Sequence, residues 1–445
     1  MDSEYTEEPY EDFLAEVIGE TEGRILEEDR STVGQERDSE TDDDFEEDIV
    51  DEVWLPRRNK KPLLRNRIVN SLDNCLKKEN YNEFTLPRQV TEYKCILEKP
   101  KRKSDAGKSV TWINQRVLGS TTDVTPAEGC LLGEARSVNS ELMAWDLFIT
   151  SAMINDIVTH TNNKIQSIIN NISSNSNSKL PSHIKLTDCI EIKSFFGLLY
   201  ARGLLGQNKY SYKQLFMEGF GHPIFGAVTS VKRFGFLHAN ICFDDCNTRH
   251  SRWVHDRFAA VRDIFEQLNI QCSSVLQPGD FMTIDETLYA CRTQIGFRQY
   301  NKSKPVRYGL LYKSISAVRY PYTFRTAVYS GKPSEEPGPH YIRGTVPIVK
   351  SLVSQLQSSV DLTGRIISLD RLYTSIELFE WLQTQGISAL GTIDHTRKGI
   401  PPEIKTVTER ENRSYQVYWN KQGGEMTLNS YVVPTKAQVG EMFYF

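Results

Sequence analysis

The sequence predicts an α/β protein: a mixed sheet with helices on its faces, preceded by an all-helical region and by a disordered acidic N-terminus. Three observations predict it. The first 52 residues hold 23 acidic and 3 basic residues, a net of −20, and few apolar side chains, so they cannot bury enough surface to offset chain entropy. Between about 136 and 272 apolar residues recur at the spacing of one helix face. After Pro278 and Gly279 the period shortens to that of strands.

In chain order, residues 1–52 form the acidic tail, with one amphipathic patch at Phe13, Leu14, Val17 and Ile18. Residues 53–135 read as a basic linker or N-terminal region carrying RRNKK at 57–61 and KPKRK at 99–103. Such runs suit an importin groove or DNA phosphates, and a solvated linker has the same composition. In the helical region, 136–272, Leu147, Ile149, Met153, Ile154, Ile157 and Val158 predict one helix, and NNISSNSNS at 170–178 a flexible loop after it. Further helices are expected over 188–205, 229–241 and 255–270.

The segment 273–398 carries the sheet. FMTIDETLY at 281–289, YGLLYKSI from Tyr308 and FRTAVYS from Phe324 predict three strands in a meander. A helix at 345–357 bears Ile348, Val349, Leu352, Val353 and Leu356, and RIISLD at 365–370 is a fourth strand. A helix from Thr374 to Gln385 has a capping-box pattern in Thr374 and Glu377 and stops at Gly386; ISALGTI at 387–393 is the fifth strand. The order β-β-β-α-β-α-β gives a mixed sheet with helices on its faces, and its first and fourth strands can lie side by side. Residues 399–445 form a last segment.

Composition narrows the function. No apolar run approaches the ~20 residues of a membrane span, and MDSEYTEEPY lacks the parts of a secretory signal, so a soluble intracellular protein is expected. Beyond the tail, 393 residues hold 50 basic and 35 acidic side chains, a net of +15, a field that favours phosphate backbones. The eight cysteines are scattered and suggest no disulfide framework. Cys242, Cys246, His250 and His255 are zinc-type residues whose spacing matches no standard finger, in a segment whose Asp244, Asp245 and Asn247 also suit a solvated loop.

Two carboxylates stand at apolar strands, Asp285 in MTIDE and Asp370 in IISLD, 85 positions apart. Hard divalent cations take oxygen ligands, and phosphoryl chemistry uses two ions ~3.5–4 Å apart; the same aspartates also serve as turn residues at strand ends. After Asp285 come Arg292, Arg298, Lys302, Lys304 and Arg307, interleaved with Phe297, Tyr300 and Tyr308. Basic groups neutralise phosphates and aromatics stack on bases, so the loop suits a polynucleotide rather than a small-molecule substrate.

At these residues the sequence resembles the piggyBac transposase family and its domesticated derivatives. The matching text is QPGDFMTIDETL at 277–288, ACRTQIGFRQYNKSKPVRYG at 290–309, VYSGK at 328–332, SLDRLYTSIELFEWL at 368–382 and GTIDHTRKGIPPEIK at 391–405; upstream, FDDCNTR at 243–249 and IKSFFGLLYARGLLG at 192–206 also match. The resemblance implies an RNase H-like catalytic core over 273–398, a helical dimerisation and DNA-binding domain over 136–272, and a partial insertion domain over 399–445. It implies three aspartates binding two Mg²⁺ ions, nicking of transposon ends and strand transfer at TTAA. The first two triad positions fall on Asp285 and Asp370, both catalytic and metal-binding, and Arg292, Arg298, Lys302, Lys304, Arg307 and Lys332 are expected to face DNA. A homodimer on double-stranded DNA in the nucleus follows.

The sequence departs from that family at three places. Arg371, Leu372 and Tyr373 stand where Asn-Trp-Phe is common, and Ala317 near a frequent Asp. The third aspartate belongs to a segment beyond the strand that EMFYF matches, so a two-carboxylate, incomplete site is expected; Glu403 and Glu409, 33 and 39 residues past Asp370, are candidate substitutes. Two functions stay open: an enzyme of DNA nicking and strand transfer, or a domesticated, non-catalytic DNA-binding or scaffold protein. A decayed copy without selected function is a third.

Overall fold

The computed structural model describes residues 91–97, 108–114, 128–175, 179–291, 293, 295–302, 304–333, 336–405, 410–411, 414–421, 426–432 and 441–444. The acidic tail with its short apolar patch, and both basic runs, lie outside the described residues.

Two strands come first, β1 (Glu92–Ile96) and β2 (Ser109–Ile113), paired antiparallel. The stretch 53–135 is therefore not simply a linker. Alternation in SVTWI buries Val110 and Trp112, the period of a half-buried strand, which net basicity had masked. A short β3 (Cys130–Leu131) follows.

The helical region begins with α1 (Glu141–Phe148), whose N-cap Ser140 accepts the Met143 N–H, and α2 (Ser151–Asn175). The loop expected at 170–178 is helix as far as Asn175. Ile168, Ile169 and Ile172 continue the apolar face onto Ile165, Ile184 and Phe236, and that burial overrides the weak helix propensity of Asn and Ser. Next come α3 (Cys189–Leu204), capped by Asp188, α4 (Tyr212–Leu215), α5 (Ile224–Val228) and α6 (Val231–Asn240). Phe195, Leu198, Leu215, Phe225, Phe234 and Leu237 form the core among them. Arg233, 4% exposed, ties it together: it reaches Glu191 Oε2 at 2.6 Å and the carbonyls of His183 and Lys185 at 2.8 Å.

The segment read as a solvated loop contains a helix, α7 (Cys246–Trp253). Buried Asp244 organises it by accepting from Arg249 and Arg252, a local ion-pair cluster that apolar periodicity does not report. α8 (Ala259–Ser274) then lies against the sheet: Asn269 exchanges two 2.9 Å hydrogen bonds with the Thr326 backbone, and Ser273 Oγ donates to Phe324 O at 3.0 Å.

After the short β4 (Leu276–Gln277), the six-stranded sheet comprises β5 (Phe281–Ala290), β6 (Gln299–Tyr300), β7 (Tyr308–Ala317), β8 (Thr323–Val328), β9 (Ile366–Leu369) and β10 (Ser388–Gly391). The spatial order is β10-β9-β5-β7, with β8 and the short β6 pairing the outer side of β7. β5, β9 and β10 run parallel, while β7 and β8 return antiparallel. Between strands come α9 (Thr345–Gln357), burying the five apolar residues named above, and α10 (Ile376–Thr384). The capping-box expectation is corrected. Ser375 caps α10 by accepting the Leu378 N–H, and Thr374 Oγ1 donates to Asp370 O at 3.0 Å instead.

α11 (Pro402–Lys405) leads to β11 (Tyr415–Asn420), β12 (Thr427–Val432) and β13 (Glu441–Tyr444). With β1 and β2 they form a second sheet, ordered β1-β2-β11-β12-β13, that joins segments more than 300 residues apart and shares the main core. Trp112 Nε1 donates to Gly399 O at 2.7 Å. Gly399 has φ +87°, and a Cβ there would meet Ile376 and Leu97 at 2.5 Å, so only glycine suits the position. No single helix among the described residues is long and apolar enough to cross a membrane.

Candidate functional site

Parallel pairing of β5 with β9 sets the site. Ile284 is the register partner of Leu369, so Asp285 and Asp370 are the next pair along the two strands. Side chains alternate across a strand. Ile284 and Leu369 are buried, whereas Asp285 and Asp370 are exposed. The apolar residue before each aspartate thus fixes where its carboxylate emerges.

Each carboxylate is held in the same manner. Asp285 Oδ1 accepts the Glu286 N–H at 2.7 Å, and Asp370 Oδ1 accepts the Arg371 N–H at 2.6 Å. The Asp370 carbonyl in turn accepts from Tyr373 N at 3.0 Å and from Thr374 N at 3.1 Å, which folds the chain into a turn directly after β9. Gly391 on β10 closes against that turn: a Cβ would strike Thr374 Oγ1 and come within 2.8 Å of Leu369 O.

Tyr373 is buried beside the site, 1% exposed. Its hydroxyl lies 3.5 Å from Glu286 Oε2. Burial, and after it Glu286, Asp285 and Asp370, raise the phenol above its ordinary range, so it stays neutral. Glu286 lies on the other side of β5 from Asp285 by strand alternation and pairs with Lys304, whose Nζ is 3.7 Å from Oε1 and donates to Glu286 O at 3.0 Å. Lys313 Nζ sits 5.9 Å from the Tyr373 ring centre; burial lowers it, partly offset by Glu286.

The second oxygens of Asp285 and Asp370 have no protein hydrogen-bond partner among the described residues. Both are hard donors suited to a divalent cation such as Mg²⁺, which keeps several waters and uses one or two carboxylates. Among the described residues, no three His, Cys, Asp or Glu groups lying within 4.8 Å of one another include either aspartate. The two side chains on neighbouring strands offer two oxygen ligands of the type such an ion takes. Glu403 sits on α11, where it hydrogen-bonds Tyr93 of β1 and helps raise that phenol after burial; Glu409 lies outside the described residues.

The basic residues of the 292–332 stretch divide. Arg292 lies outside the described residues, while Lys302, Arg307 and Lys332 are exposed. Arg298 lies 5.1 Å from the Tyr308 ring centre, and Tyr300 and Tyr308, both 53% exposed, approach to 4.8 Å between centroids. Lys304 is engaged with Glu286. Phe297 offers no stacking surface, because it is buried with Phe258 and Val328.

Sequence reasoning missed a cleft of about 700 Å³ beside Asp370, lined by Lys108, Arg371, Asp394, Arg397 and Lys398. Arg371 Nε approaches Asp394 at 3.8 Å, and Arg397 donates to Leu372 O at 2.7 Å. The signal was TRKG at 396–399, shortly after the fifth strand, read only as part of a longer motif.

A family profile described as Transposase IS4 matches residues 142–439. Among solved structures, the chain is similar to the piggyBac transposase seen by cryo-electron microscopy in a synaptic complex with hairpin DNA. That match has 26% identity and a TM-score of 0.62, covering 72% of this chain and 63% of that one. The chain therefore spans less than two thirds of that transposase.

Proposed function

Since the chain belongs to the Transposase IS4 family, we propose that it is a piggyBac-type, transposase-derived protein that binds double-stranded DNA and carries an incomplete Mg²⁺-dependent phosphoryl-transfer site. The sheet order, with β5 between β9 and β7 and with β9 and β10 parallel to it, supports the reading of an RNase H-like core. The observation that carries the reading is the register of Asp285 with Asp370 in a transposase fold.

In this reading Asp285 and Asp370 would hold a divalent cation. Mg²⁺ bound there would supply Lewis acidity, lowering the pKa of a water and steadying a departing 3′ oxygen. The backbone N–H groups of Glu286 and Arg371 orient the two carboxylates, and the neutral Tyr373 phenol adds no further negative charge beside Glu286. Lys304 offsets Glu286. Arg298 with Tyr300 and Tyr308 on one side, and Arg371, Arg397 and Lys398 on the other, engage phosphates and bases. Nicking of transposon ends and strand transfer at TTAA belong to the intact mechanism, which needs a third carboxylate.

The second reading is a domesticated protein that binds DNA or chromatin without cutting it. A second copy is the proposed partner: Ile190, Tyr200 and Leu204 of α3 are 78%, 62% and 91% exposed. The basic runs at 57–61 and 99–103 support entry into the nucleus.

The test is binding and cleavage of a duplex with TTAA-flanked ends in Mg²⁺, comparing the wild-type chain with Asp285→Ala and Asp370→Ala. We expect binding that weakens steeply with salt in all three and no nicking above background. Absence of duplex binding would sink the proposal. Nicking abolished by Asp285→Ala would replace it with the enzymatic reading.

A further inference from the structure

Cys242 follows α6 and Cys246 opens α7, with Asp244, 2% exposed, between them. The two sulfurs are 2.7 Å apart. Arg249 Nη2 lies 3.1 Å from Cys242 Sγ and 3.2 Å from Cys246 Sγ while also pairing with Asp244, whose other oxygen takes Arg252 at 2.6 Å. Cys242 is 3% exposed and Cys246 is open to solvent.

Two sulfurs and a carboxylate also suggest a metal, and the geometry speaks against one. Zinc–sulfur bonds of ~2.3 Å at a tetrahedral ion hold two thiolates about 3.8 Å apart. A guanidinium already stands beside both sulfurs, and both oxygens of Asp244 are engaged by arginine. Neither His250 nor His255 belongs to the cluster, and His255 Nδ1 is 2.9 Å from Glu336 O.

We propose that Cys242 and Cys246 are a reversible dithiol–disulfide pair, a modification site oxidised by a small-molecule disulfide such as oxidised glutathione. A disulfide requires sulfurs ~2.05 Å apart, so these need to close by less than 1 Å. The two sulfurs share a proton. The Cys246 S–H, against burial and helped by Arg249, holds the Cys242 thiol down at about 6, so the pair carries a thiolate at neutral pH. The Cys242 sulfur and burial hold the Cys246 thiol above its ordinary value, so its proton passes to Cys242 before Cys246, the sulfur open to solvent, acts as the nucleophile. Its sulfur attacks one sulfur of oxidised glutathione and expels a glutathione thiolate. Cys242, once deprotonated, attacks the Cys246 sulfur and expels the second. One departing thiolate takes the shared proton and the other takes a proton from water, and the protein loses two electrons as glutathione gains two.

The test uses the full chain in glutathione buffers of graded ratio, quenched by alkylation and mapped by mass spectrometry. As the ratio becomes oxidising, the 242–246 peptide should lose two hydrogens and its alkylation fall by roughly tenfold or more, with recovery in dithiothreitol. Cys242→Ser should stop at a glutathione adduct on Cys246, and Cys246→Ser should leave buried Cys242 unmodified. Complete alkylation of both cysteines in oxidising buffer overturns the proposal, as does stoichiometric zinc in the wild-type chain that Cys242→Ser abolishes. The wild-type mapping decides alone if a serine variant fails to fold.

Discussion

Asp285 and Asp370 are successive-strand neighbours, one residue beyond the Ile284–Leu369 pair of a parallel ladder, and each anchors one carboxylate oxygen on the N–H of the residue after it. The arrangement leaves one oxygen of each free for a cation. Because both are exposed, exchanging them for Asn changes the site without disturbing the core. Asp285→Asn with Asp370→Asn should weaken Mn²⁺ or Mg²⁺ binding by at least about tenfold and shift stability by less than about 0.5 kcal/mol. Titration calorimetry and urea unfolding check the two parts; unchanged ion affinity removes these carboxylates from the site.

The closeness of Gly391 to Thr374 and Leu369 makes the Asp370 turn sensitive to one methyl group. Gly391→Ala should cost about 1–3 kcal/mol by overpacking and weaken ion binding as well, since the displaced turn carries Asp370. A variant as stable as wild type, with unaltered ion affinity, shows that the turn is not held by this contact.

Arg233 and Glu191 form an ion pair within the helical region, with side chains 5% and 23% exposed. Removing one partner strands the other, so Arg233→Ala should destabilise by about 3–5 kcal/mol. Unfolding monitored by circular dichroism tests this, and a loss under 1 kcal/mol contradicts it.

Acid stability follows from the same group of carboxylates. Burial pushes Glu191, Asp244 and Asp256 upward, but hydrogen bonds from Arg233, from Arg249 and Arg252, and from Arg262 outweigh it and hold all three below their ordinary values. A folded pKa below the unfolded value gives stability that is present above about pH 4 and is lost as pH falls through the folded value. The melting temperature should hold from pH 7 to about 5 and drop below 4. Glu191→Gln should flatten that acid limb, and an equally steep limb would show that Glu191 does not contribute.

Salt dependence separates the basic residues. Lys302 and Arg307 are exposed, whereas Lys304 is spent on Glu286. Replacing Lys302 or Arg307 by Ala should each lower the slope of log K against log salt by about 1. Lys304→Ala should change the slope less and stability more. Equal slopes for all three would place the duplex elsewhere.

Much of the fold was legible in the sequence because apolar period and strand length are local properties. The meander, the two strand–helix–strand steps and the five buried residues of α9 could all be read that way, and so could the approach of two residues 85 positions apart, since β5 lies beside β9. What remained hidden was non-local. The pairing of β2 with β11 depends on segments more than 300 residues apart; the cleft beside Asp370 exists only where four segments meet. Lys304 and Phe297 show the same limit at the site: composition placed both beside DNA, while one pairs with Glu286 and the other fills the core. Sequence by itself determined which residues carry charge, oxygen donors and apolar stripes, because those are properties of side chains. Only the tertiary structure decided which of those groups neutralise one another and which stay available, because desolvation and pairing depend on what folding brings within a few ångströms.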